Sequence, residues 1–144
     1  MGYQQLLVYV ITLLAAVVVL LTRLRLRYGG GGQGATGVFL PAVHSVCGLL
    51  GLLIWVVFLV GKNGSAAGSS LTGIIGLFFL WLVVVAGLFI LLRWLPARGR
   101  HAGRHSMHPA ADNWSSSPWL SIVGHIGMLL GVLYMTWAYL TQVV

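Results

Sequence analysis

Two histidines, His44 and His125, are the residues of this chain best placed to do chemistry. Each sits inside a long apolar run, VFLPAVHSVCGLLGLLIWVVFLV for the first and PWLSIVGHIGMLLGVLYMTWAYLT for the second. A neutral imidazole is costly in hydrocarbon, so each ring is expected to face protein and to find a partner there. Two imidazoles at one depth on different helices can ligate one metal from opposite sides, the arrangement that holds a haem iron between the helices of a bundle. The competing reading is packing, in which the histidines bond one another, Ser45, Ser121 or a backbone carbonyl and act as polar glue between helices.

Neighbouring positions fit the first reading. The His44 face continues through Gly48, Gly51 and Trp55, at i+4, i+7 and i+11, so a flat ring could lie close to the backbone beside the histidine. Ser121 stands one turn before His125 and is placed to orient its imidazole. On the last run, Gly124, Gly127 and Gly131 form a stripe on another face, suited to close helix contact. The remaining histidines, His101, His105 and His108, have a loose metal-ligand spacing in a loop. With no cysteine nearby and one acid, Asp112, they read better as loop residues that gain charge as the pH falls. Cys47 falls in an apolar run and reads as a small buried residue.

These side chains must be positioned by membrane helices. Of the 144 residues, 59% are hydrophobic and 6% charged, far from the roughly 25% charged residues of a soluble domain. Apolar runs at about 4–22, 38–60, 71–92 and 118–141 each suffice for one span. The expected fold is an all-α integral membrane protein, a single four-span bundle over residues 1–144 with no separate soluble domain. Seven arginines occupy the first and third loops, and the middle loop holds one lysine, Lys62. The positive-inside rule places the two arginine-rich loops in the cytoplasm, against anionic lipid, and both termini outside. A net charge of +7 in a soluble chain would suggest nucleic acid; beside apolar spans it reads as topology, and no nucleic-acid partner is expected. No Asp, Glu, Lys or Arg falls at mid-membrane, which removes the parts of a carboxylate proton relay or a voltage sensor.

The halves also echo one another. LLTRLRLR after the first span parallels LLRWLPAR after the third, and LPAVHSVCGLLGLLIW parallels SIVGHIGMLLGVLYMTW. This reads as a parallel repeat of two helix hairpins, which would put both histidines at the same level.

The pairing of His44 and His125 on separate spans resembles the membrane anchors of b-type cytochromes, such as those of succinate dehydrogenases and hydrogenases. RWLPARGRH followed by a histidine-bearing last span is similar to small four-span actinobacterial membrane proteins of unassigned activity. The first resemblance implies one haem b and a place among other integral membrane subunits; a second histidine pair is lacking, so one haem is the limit. The expected function is a small integral subunit of a larger respiratory or otherwise energy-transducing complex in a bacterial plasma membrane, without catalytic activity of its own. The alternative is an electron-carrying b-type cytochrome with His44 and His125 as axial ligands.

Overall fold

The structure, a computed structural model, describes residues 2–28, 39–101 and 118–144. Among these residues there are four helices and no strand: α1 (Tyr3–Tyr28), α2 (Phe39–Val60), α3 (Ser70–His101) and, last, α4 (Pro118–Leu140). Each contains a stretch long and apolar enough to cross a membrane: Tyr3–Leu21, Ala42–Val60, Ser70–Leu92 and Ile122–Leu140. The four expected spans are thus present. Two helices overrun them, because α1 continues through Arg23, Arg25 and Arg27 to Tyr28, and α3 continues through Arg93 and Pro96 to His101. Charge ends a span, but arginine is a good helix former and does not end a helix. Pro41 lies in the first turn of α2, where its missing N–H has no intrahelical partner.

Three tyrosines fix the direction of the helices. Tyr9 donates to the Leu59 carbonyl at 3.5 Å, Tyr134 to that of Gln4 at 3.4 Å, and Tyr139 to that of Ser70 at 2.9 Å. The start of α1, the end of α2, the start of α3 and the end of α4 therefore share one end of the bundle. Helices α1 and α3 run one way, α2 and α4 the other. Packing follows the chain around a square, α1 on α2, α2 on α3, α3 on α4 and α4 back on α1, with the α2–α3 seam the most extensive. This is the up-down-up-down bundle.

The α2–α3 seam is built from bulky residues set against glycines. A Cβ on Gly76 would lie 3.0 Å from the backbone nitrogen of Trp55, and one on Gly51 would lie 2.9 Å from that of Leu80. Gly48 faces Val83, with 3.6 Å from its added Cβ to a valine methyl. Between lipid-facing helices there is little hydrophobic drive, so backbone approach of this kind, with its dense van der Waals contact, carries the association. Two indoles add polar cross-links. Trp55 Nε1 donates to Thr12 Oγ1 at 3.2 Å, and that hydroxyl donates to the Val8 carbonyl at 2.8 Å. Trp81 Nε1 donates to Thr136 Oγ1 at 3.2 Å, and Thr136 in turn to the Val132 carbonyl at 2.7 Å. Around them Val8, Trp55, Leu80, Val132 and Met135 are fully buried.

The end that carries both termini is closed by local bonds. The segment 61–69 folds on itself: Gly64 takes φ +84°, Ser65 Oγ donates to the Lys62 carbonyl at 2.6 Å and accepts from Gly68 N–H at 3.2 Å. Ser69 caps α3 by accepting the Thr72 amide at 3.3 Å. At the far end of the chain Val143 N–H bonds the Ala138 carbonyl and Gln142 N–H bonds that of Tyr139, with Gln142 at φ 56°. That is a Schellman stop, here with glutamine at the position glycine usually takes.

Candidate functional site

His44 on α2 and His125 on α4 meet in the bundle toward the end opposite the termini. Counting down from the ends of α2 and α4 at about 1.5 Å per residue, they lie roughly 24 Å and 23 Å deep, at one level. Their ring centres are 6.2 Å apart and the rings are inclined by 29°. Both rings are half-buried. The parallel course of α2 and α4 that the sequence echo implied is what brings them together. The echo does not extend to the tryptophans: Trp55 is 0% exposed in the core, whereas Trp137 is 43% exposed.

The third side of the pair is α3. His44 Nδ1 lies 3.1 Å from the Val83 carbonyl oxygen. A carbonyl only accepts, so Nδ1 carries the proton and, in a neutral imidazole, Nε2 keeps its lone pair. One turn further along α3 stands Gly87. A Cβ built there would lie 2.8 Å from His125 Cδ2, 3.1 Å from His125 Nε2 and 3.0 Å from His44 Cε1. The two rings thus converge on a space that any side chain at position 87 would fill.

Two imidazoles can share one metal. An imidazole nitrogen lies about 1.1 Å from its ring centre and bonds a metal at about 2 Å, so two rings on opposite sides of one ion stand roughly 6 Å apart. The ring centres stand 6.2 Å apart, near that spacing. A Cβ at Gly87, however, would lie 2.8–3.1 Å from both rings, so the backbone of α3 closes the plane between them and a porphyrin does not fit there. A backbone carbonyl on the second ring nitrogen of a metal-binding histidine is the usual means of fixing its tautomer and orientation. The same bond is also what a packing histidine makes, and the expectation of a backbone carbonyl partner is met for His44.

Other assignments from the sequence change. Gly48 and Gly51 do not clear a space beside His44; they are taken up by Val83 and by the Phe79–Leu80 backbone of α3, because the His44 face of α2 is the seam with α3. The glycine that opens the site is Gly87, which the sequence reading passed over. Its signal was present: Gly76, Leu80, Val83 and Gly87 recur at i+4, i+7 and i+11, the same spacing as His44, Gly48, Gly51 and Trp55 read in the opposite direction. The α4 stripe divides, since a Cβ on Gly131 would touch Ile11 at 3.0 Å, while Gly124 and Gly127 meet nothing within 4 Å among the described residues. Tyr139 packs edge-on against Phe58 at 5.6 Å. Cys47 is buried, as expected. The side chains of Ser121 and His101, and all of His105, His108 and Asp112, lie outside the described residues.

No protein-family model, no curated protein and no solved structure matches the chain. The class rests on fold and site alone: a four-span helical bundle with a histidine pair inside it.

Proposed function

We propose that this chain is a small integral membrane subunit of a larger energy-transducing complex, with an accessory role and no catalysis of its own. The observation that carries this reading is the strip of α4 that Gly124 and Gly127 leave open beside exposed Val123, Ile126 and Leu130, a surface suited to a partner helix. His44 and His125 then serve as polar glue between helices, with His44 tied to the Val83 carbonyl of α3. By the positive-inside rule the site lies nearer the cytoplasmic face of a bacterial plasma membrane, with both termini outside and the arginines against anionic headgroups.

Cross-linking from position 127 in native membranes tests this. Capture of another integral membrane subunit is expected, and a chain that captures none would sink the reading.

A second reading has an observation of its own. The ring centres of His44 and His125 stand 6.2 Å apart at one level. Were α3 to move away from them, the two residues would hold one haem b, which would supply a reversible one-electron couple. The reduced-minus-oxidised visible spectrum of the purified protein, expressed with ample haem, separates the two: a Soret band lost in His44→Ala and in His125→Ala separately favours this second role.

A further inference from the structure

His44 and His125 can each gain a charge, and as glue between helices they use none. We propose that the two form a pH-sensitive latch between α2 and α4. With at most one charge on the pair, the half of α4 that bears His125 rests against the α2–α3 seam; with a charge on both rings, that half is released. The latch is independent of the subunit role, since it needs only the bundle.

Two features of the bundle support it. The first is the pair itself. Its ring centres stand 6.2 Å apart, and the backbone of α3 lies against both rings, a Cβ at Gly87 falling 2.8 Å from His125 and 3.0 Å from His44. Two positive rings at that separation repel, more strongly in a bundle than in water. The surrounding spans offer no compensating anion: residues 3–22 of α1, 39–60 of α2, 70–92 of α3 and 118–140 of α4 hold no Asp, Glu, Lys or Arg. The charges that follow on the same elements are arginines, Arg23, Arg25 and Arg27 on α1 and Arg93, Arg98 and Arg100 on α3. The chain's one acid, Asp112, lies outside the described residues.

The second feature is how unevenly the two helices are held. His44 donates from Nδ1 to the Val83 carbonyl at 3.1 Å, and its helix shares the most extensive seam of the bundle with α3. A charged imidazole keeps that bond, because the added proton goes to Nε2. Helix α4 is held at its other half. There Val132, Met135 and Ala138 are buried, Trp81 bonds Thr136, Tyr134 bonds the Gln4 carbonyl and Tyr139 that of Ser70. Between Ile122 and Gly131 no residue is buried, and Gly124 and Gly127 meet nothing within 4 Å among the described residues. Repulsion therefore moves the His125 half of α4 and leaves α2 in place.

The test measures two distances between spin labels in the full chain, in lipid nanodiscs and a Cys47→Ser background. Labels at exposed Val46 and Val123 report on the histidine half, and labels at exposed Val57 and Leu133 on the fixed half. From about pH 8 to about pH 5, the range in which imidazoles gain charge, the first distance is expected to lengthen by about 2 Å or more and the second to stay. His125→Gln keeps a polar side chain without a titratable ring and is expected to abolish the change. An unchanged first distance, an equal change at both pairs, or a change that persists in His125→Gln would overturn the latch. Should His125→Gln fail to fold, nitrogen-15 NMR of the unsubstituted chain decides. The lengthening is expected at the pH at which the second imidazole gains its proton, and lengthening with one ring still neutral contradicts the account.

Discussion

At the scale of single residues, several polar groups among the described residues are held by a named partner. Trp55 is the clearest case. Its indole is fully buried, its N–H donates to the Thr12 hydroxyl, and that hydroxyl donates a hydrogen bond to the Val8 carbonyl. Replacing Trp55 by Phe keeps most of the apolar volume and removes the cross-link. Interhelical bonds of this kind average about 0.6 kcal/mol in membrane bundles. The expected loss in a detergent-unfolding titration of Trp55→Phe is therefore small, near that value plus a packing term, and adding Thr12→Val to the Trp55→Phe variant should cost little more. A large additional loss from Thr12→Val would mean that the threonine serves some other contact. The histidines differ from the tryptophans in that their expected partner was ambiguous from sequence. Ser45, Ser121 and a carbonyl were all within reach, and which one His44 would choose depended on the rotation of α3, which the α2 sequence does not contain.

At the scale of elements, the sequence told where the helices cross the membrane and much less about which faces meet. Hydropathy alone places the spans because twenty apolar residues have few alternatives in a chain with so little charge. Rotation is harder, since Leu, Val and Gly recur on every side of these helices. Gly48 and Gly51 were readable as a smooth face but not as the face of a particular partner; the seam with α3 claims them. Helices α1 and α3 run on past their spans, because arginine ends a span and not a helix. The seam makes a quantitative prediction. Gly51→Ala would place a methyl 2.9 Å from the Leu80 nitrogen, against backbone that cannot yield. Overpacking of this kind costs about 1–3 kcal/mol. Gly124→Ala meets no neighbour among the described residues, and by helix propensity alone it should stabilise by up to about 1 kcal/mol. Paired thermal unfolding curves check both signs, and an unfolding midpoint for Gly51→Ala at or above that of the unsubstituted chain would contradict the seam.

At the scale of the whole molecule, the direction of the helices decides where the histidine pair and the loops lie. Both termini and segment 61–69 share one end, so a single accessibility experiment orients the bundle. In a Cys47→Ser background, a cysteine at exposed Asn63 should react with a membrane-impermeant thiol reagent on intact cells, and one at Tyr28 or Ser106 should not. Labelling at 28 or 106 with protection at 63 would invert the topology and move the histidine pair to the outer leaflet. The pair itself would survive that inversion, because it depends only on α2 and α4 running in parallel. The most direct measurement is cross-linking in native membranes from a photoreactive residue at position 127 on α4, compared with one at the buried position 80 on α3. Capture of another membrane subunit from position 127 and none from position 80 is expected. Equal capture from both positions, or none from 127, would contradict the open strip of α4 as a subunit contact.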